Sequence, residues 1–259
     1  MCPRILNLFL SFVKKIKKFI IMDTKVMIDA LRNGQISTDE LYVYAKELEA
    51  VASIFARKRE VVQLDKEEAF SKISAGWYAY EGGKFSNHPD VFPNCQGVVG
   101  WVNLDKNAPV GQRGLIMLPE VPTLLWSDIP CEIGVTSFYK GGRFNTEKLL
   151  AYGREHNIRF PAAEWCASYC KNGIKPGEVF LPGVDEMIGL FGISIDYVNT
   201  ALRLLGGSAR CGGFTSVGCD KDSVYAVTTH SIARYDVQKV YYELYPKLLE
   251  LPVVGVLAF

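Results

Sequence analysis

Apolar side chains fall at helical spacing twice before residue 60, and then the rhythm changes. In the first stretch Ile5, Leu8, Phe9, Phe12, Ile16, Phe19 and Ile20 recur at helical intervals while Lys14, Lys15, Lys17 and Lys18 fill the polar side. This basic amphipathic pattern suits peripheral contact with a membrane surface through residues 1–21. The lysines interrupt it too often for a spanning helix. The apolar stretch also precedes the charge cluster, the reverse of a secretory signal. A second reading starts the protein at Met22-Asp23 and leaves residues 1–22 as an upstream extension without function. Residues 23–69 then read as a helical extension. A short helix covers Asp23–Arg32. Ser37-Thr38-Asp39-Glu40 forms a capping box that opens a second helix, reaching to Arg59. Leu41, Tyr44, Ala45, Leu48, Val51, Ala52 and Ile54 or Phe55 line one side of it. Such a stripe is buried either on the following domain or against another copy of the chain.

From Gly76 the period shortens. Trp77–Tyr80, Gln96–Val102 and Arg113–Leu118 are short β-like runs bounded by Gly, Asn and Pro. Two helices follow, Asn145–Glu155 with Asn145 as N-cap, and Pro161–Cys170 with Pro at the first turn. A segment Val184–Phe191 and a helix Ile195–Leu205 come next, the latter stopped by Gly206-Gly207 through a left-handed C-cap. The remainder, Gly213–Phe259, reads as strands and turns. Its end, Val253–Phe259, is so continuously apolar that a central strand buried on both faces is expected. Residues 70–259 thus form one α+β domain.

The order of these phrases resembles a known family. Gly97–Val102 follows its "G-x-V-x-x-V" strand, and Gly114–Leu118 its next strand. Asn145-Thr146 and Phe160-Pro161-Ala162-Ala163 open the helix pair. Leu181-Pro182 with Glu186-Met187 follows "L-P-x-x-x-E-L", and Asn199-Thr200-Ala201-Leu202 runs into Leu205-Gly206-Gly207. Together they resemble the C-terminal C-type-lectin-fold domain of gut-bacterial fimbria-tip, surface and phage proteins. That domain also serves as the variable protein of diversity-generating retroelements. The resemblance spans roughly Gly76–Phe259. It implies two helices packed on short, mostly antiparallel sheets, and work by binding rather than catalysis, on a cell surface or phage particle. The chain departs from the pattern at three places. Phe214–Gly218 stands for "W-S-S-x-E", Tyr225 for a Trp, and Val254-Gly255 for an Arg-Pro pair, so a buried arginine that ties strands in the family is missing here.

Composition narrows the chemistry. With 259 residues, 49% hydrophobic, the chain can bury a full core. A net charge of +1 and no basic stripe beyond the N-terminus argue against a nucleic-acid partner. Thirteen Tyr and 14 Phe suit either a recognition surface or a β-rich core. The 7 cysteines are odd in number and do not read as a disulfide framework. Cys166 and Cys170, four apart in the second helix of the pair, would share a face, but lack the further ligands zinc needs. Asp220 and Asp222 offer calcium chemistry or a solvated turn. His88 falls in a turn, His156 at a helix end and His230 at a hairpin tip. None forms a metal or nucleophile spacing, so no cofactor, metal or catalytic set is expected.

What remains is recognition by outward positions on the last strands. These are Asp220, Asp222, Ser223, Thr228, His230, Arg234, Tyr235, Asp236, Gln238, Tyr241 and Tyr242, facing a protein or glycan ligand. Two alternatives stand beside this reading. One is a structural or assembly subunit of a fibre or pilus that oligomerises through helix 38–59. The other is a degenerate enzyme of the formylglycine-generating type, which shares the broad fold and would use Cys211 or Cys219.

Overall fold

The computed structural model describes residues 33, 37–64, 70–105, 107–133, 136, 141–192, 195–232 and 237–259. The expectations for residues 1–32 and for Arg234, Tyr235 and Asp236 lie outside the described residues. The chain divides into two units, Met1–Ser53 and Ile54–Phe259. Helix α1 (Thr38–Ala56) supplies the described part of the first. Within it the Lys46 ammonium lies 5.0 Å from the centre of the Tyr42 ring, one turn back.

Helix α1 stops short of the expected Arg59. The Asn87 side chain takes over the next residues, donating to the Lys58 carbonyl at 2.9 Å and accepting the Glu60 N–H at 2.9 Å. The buried His88 ring adds a 3.0 Å bond to the Arg57 carbonyl. Backbone held in this way is extended, and strand β1 (Val61–Gln63) follows, inside the span expected to be helical.

β1 joins β2 (Tyr78–Tyr80), β3 (Lys84–Ser86), β4 (Cys95–Val102), β5 (Gly114–Met117) and β11 (Val256–Ala258). They form an antiparallel six-stranded sheet in the order β1-β3-β2-β4-β5-β11. Successive strand residues point to opposite faces, and here both faces are covered. Val99, Ile116 and Leu257 enter one core with Leu149, Phe160, Cys166 and Phe214. Val98, Met117 and Val256 enter the other with Met187, Leu190, Val198 and Leu202. That double cover explains the continuous apolar runs. The glycines of the strand motifs are explained as well. A Cβ on Gly97 would meet the Met117 carbonyl oxygen, and one on Gly114 the Trp101 carbonyl and the Phe259 ring. The C-terminal strand is buried as expected, but it is outermost in the sheet rather than central. Its outer side is bridged by Phe180, whose N–H and carbonyl pair with Val256 at 3.0 and 3.1 Å.

Four helices cover this sheet: α2 (Gly142–His156), α3 (Pro161–Ser168), α4 (Val184–Leu190) and α5 (Ile195–Leu204). β6 (Thr123–Leu124) pairs with β10 (Leu251–Pro252). β7 (Gly212–Gly218), β8 (Ser223–Ile232) and β9 (Val237–Pro246) make a three-stranded antiparallel sheet in chain order. The architecture is mixed α+β.

The family-like phrases meet in one buried polar network. The Thr146 hydroxyl accepts from the Leu181 N–H at 3.0 Å and donates to the Leu181 carbonyl at 3.2 Å. The Pro182 carbonyl accepts from Ser216 N–H at 2.8 Å, and Asn145 Nδ2 donates to the Ser216 hydroxyl at 3.3 Å. One Glu186 carboxylate oxygen accepts from both Gly183 and Gly142 N–H, at 2.7 and 2.8 Å, and so satisfies orphan amides at the starts of α4 and α2 together. Asn145 is therefore not an N-cap. Helix α2 begins at Gly142, following Gly141 at φ 78°, and the Asn145 side chain is buried. At the end of α5, Gly207 N–H bonds the Leu202 carbonyl and Gly206 N–H that of Arg203, at 3.0 and 2.9 Å, with Gly206 at φ 80°. This is the expected left-handed stop in its Schellman form.

Candidate functional site

The hairpin β8–β9 carries most of the residues expected to recognise a ligand. It pairs without a break from Ser223↔Pro246 to Ile232↔Val237. The expected residues therefore spread along it instead of forming one patch. Asp220 and Asp222 lie in the turn before β8, while His230 and Gln238 sit near the far end, roughly 25–30 Å away at strand rise. His230 is not at the tip, because β8 continues through Ile232. Thr228 pairs with Tyr241 in mid-strand, and Ser223 opens β8 half-buried. Tyr241 and Tyr242 are neighbours in β9, so their side chains leave on opposite faces.

The Asp220 turn is held by its own backbone. Asp220 Oδ1 accepts from the N–H groups of Asp222 and Ser223 at 2.8 and 2.7 Å, and these bonds pull its carboxyl below the ordinary value. Behind the turn sits Lys247, fully buried. Its ammonium donates to the carbonyls of Cys131 (2.6 Å), Asp220 and Lys221 (3.4 Å), over the Trp126 ring at 5.0 Å. A lysine thus occupies the carbonyl cage beside these two carboxylates.

β8 and β9 differ sharply in cover. Val224, Ala226 and Val227 of β8 are buried, whereas Tyr241, Tyr242, Glu243 and Leu244 of β9 are all exposed. Tyr242 and Leu244, 54 and 51% exposed, share one face of β9, and Tyr241, 40% exposed, lies on the other. The Tyr242 ring meets Tyr225 edge to face at 6.0 Å.

A second feature was not legible in the sequence. A cleft of 760 Å³ opens between the Pro119–Pro122 segment, the end of α3 and the Gly206-Gly207 turn. Helix α3 ends at Ser168, and Tyr169 turns into extended backbone (φ −63°, ψ 127°). Cys170 is consequently off the helix and exposed while Cys166 is buried, so the two do not share a face. The same early ending swings Tyr169, Lys171 and Asn172 to the cleft. The Tyr169 hydroxyl donates to Glu120 at 2.6 Å and Lys171 donates to its other oxygen at 2.9 Å. Burial pushes the Glu120 carboxyl up, but these two bonds outweigh it and hold the group below its usual range. Burial, reinforced by the bond to Glu120, pushes the Tyr169 hydroxyl up, so it stays a donor. Asn172 Nδ2 donates to the Cys95 carbonyl at 2.7 Å. Burial lifts the Cys95 thiol to about 12, against hydrogen bonds involving Gly97 and Ala79, which keeps it protonated and unreactive. Beneath the cleft wall, Arg210 donates to the Leu118 and Pro119 carbonyls at 2.8 and 2.6 Å. Burial lowers its pKa to about 10, opposed by the Glu120 charge. The buried Arg210 thus joins the turn after α5 to the segment that follows β5.

No protein-family model matches the chain, and no curated protein matches it. Among the described residues no helix is long and apolar enough to cross a membrane. One solved structure with a similar fold is a fimbrial protein from Bacteroides ovatus ATCC 8483, at 17% identity and a TM-score of 0.53. The likeness covers 72% of this chain and 49% of that one, so the chain spans about half the length of the fimbrial protein whose α+β fold it shares.

Proposed function

We propose that the chain is a non-enzymatic recognition module with a C-type-lectin-like fold, displayed on a cell surface as part of a fibre or adhesin, and that β9 carries its contact surface. The observation behind this reading is the exposed run Tyr241–Leu244 beside a buried neighbour strand. Clustered exposed apolar groups mark interaction sites, and tyrosines give large contact area at low entropic cost. The likeness to a fimbrial protein supports a surface or fibre-associated role. The scaffold supports it too: the family-like motif residues are consumed in internal bonds, which leaves the last hairpin free to vary.

A screen of immobilised chain against a glycan array and cell-surface protein extracts would supply a ligand. Tyr242→Ala and Leu244→Ala, at two positions on the same face of β9, should each weaken its binding by about 2 kcal/mol or more, as central anchors do. Their stability should stay within about 0.5 kcal/mol of wild type. Normal binding by both variants would place the site elsewhere. A second reading, an assembly subunit, is favoured by one observation: β9 is the outer strand of its sheet, a position that invites strand addition. Sedimentation separates the two, since assembly predicts growth with concentration that changes on β9 suppress.

A further inference from the structure

The geometry points to the Glu120–Trp165 cleft as a binding site for a neutral saccharide, separate from the β9 strip. A pyranose ring presents a face of C–H groups and a rim of hydroxyls that both donate and accept. The cleft offers a match for each. Trp165 is half-buried and lines the wall. Its ring stands edge to face with Tyr169 at 5.6 Å, which fixes its plane. Around it lies a rim of mixed polarity. Each Glu120 oxygen accepts one bond and keeps a further lone pair. Lys171 spends one of its three donors on Glu120, and Asn172, with Nδ2 committed to the Cys95 carbonyl, presents its amide oxygen. Asn94 adds an exposed amide, held at φ 59°.

Two features narrow the class. Glu120 and Lys171 are paired at 2.9 Å, so the rim carries compensated charge and suits uncharged hydroxyls better than a free carboxylate or phosphate. The polar groups are held by bonds to one another and to backbone before any ligand arrives, which lowers the ordering cost of binding. The volume of 760 Å³ lies inside the range of small-molecule sites. No residue of the cleft belongs to β9, so the two surfaces can be tested independently.

The test is saturation-transfer NMR on the full chain with methyl glycosides of glucose, galactose, mannose and N-acetylglucosamine as probes, and methyl glucuronide as the charged comparator. At least one neutral glycoside should receive saturation at its ring C–H protons, more strongly than the glucuronide. Trp165→Ala should abolish the effect, and Glu120→Gln should weaken binding by about tenfold. Trp165 also packs near Gly255, so Trp165→Ala carries a risk of unfolding. Lys171→Ala, at an exposed position, keeps the test decisive and should weaken the same glycoside with only the small fall in melting temperature that loss of an exposed ion pair brings. The proposal is overturned if no neutral glycoside receives saturation, or if binding survives both Glu120→Gln and Lys171→Ala. It is also overturned if Tyr241→Ala removes the signal while the cleft variants keep it.

Discussion

Lys247→Met probes the fold at its most costly side chain. The residue is fully buried, and its ammonium joins three segments through the carbonyls of Cys131, Asp220 and Lys221. Met keeps the length and apolar stem but removes every donor. A buried carbonyl left without a partner costs about 1–3 kcal/mol. The lost contact with the Trp126 ring, at 5.0 Å, adds about 1–2 kcal/mol in a desolvated setting. Relief from burying a charge returns part of this. The net loss should be about 2–4 kcal/mol, or a fall in Tm of roughly 5–15 °C for a domain of this size. Thermal and urea unfolding at neutral pH, followed by circular dichroism, would measure it. Burial also lowers the Lys247 pKa, with Asp220 and Asp222 among the charges opposing that shift. Between the folded value and the ordinary 10.5 the unfolded chain holds more protons. Wild type should therefore gain on the Met variant as pH rises through that alkaline window, and the gap should be flat below it. Calcium should leave the wild-type Tm unchanged, because the lysine already holds the cage. A Met variant as stable as wild type would refute the reasoning and show that apolar packing serves as well as the caged ion.

Three further outcomes are expected. Glu186→Ala should cost about 2–4 kcal/mol, since two charge-assisted bonds to Gly142 and Gly183 are lost together; chemical denaturation checks it, and a loss under 1 kcal/mol would contradict it. Removing residues 253–259 should abolish cooperative folding. Val253, Val254, Val256, Leu257 and Phe259 are all buried, and at about 1.5–3 kcal/mol each they rival the whole stability of a typical domain; a truncated chain with a sharp melt would refute this. The Glu120 carboxyl is held below its ordinary 4.5, so its contribution is present above that pH and fades as pH falls through the folded value. The difference in Tm between wild type and Glu120→Gln should accordingly shrink on acidification, and a gap that widens in acid would contradict it.

The parts legible in the sequence were those fixed by local chemistry. β4 and β5 showed as apolar runs, α5 ended where Gly206 allows φ 80°, and Pro161 opened α3. The misreadings each have a distant partner. Asn145 looked like an N-cap, but Glu186, far along the chain, caps Gly142 instead. Helix α1 looked longer until Asn87 claimed Lys58 and Glu60. Val253–Phe259 looked central because it is apolar throughout, yet Phe180 and the two cores supply cover at a sheet edge. The cleft was invisible for the same reason. Its walls come from four separated stretches, around Asn94, Glu120, Trp165 to Asn172 and Gly206, and no periodicity links them.

In the function proposed above, the domain divides into a scaffold built by motif residues and a recognition surface on β9. A displayed library of single substitutions, sorted once for protease resistance and once for binding to a ligand from the screen, tests that division most directly. Substitutions at Thr146, Leu181, Glu186 and Asn199 should fail the folding sort, whereas those at Tyr242 and Leu244 should pass it and fail only the binding sort. The account is contradicted if the β9 substitutions unfold the chain, or if they bind as wild type does.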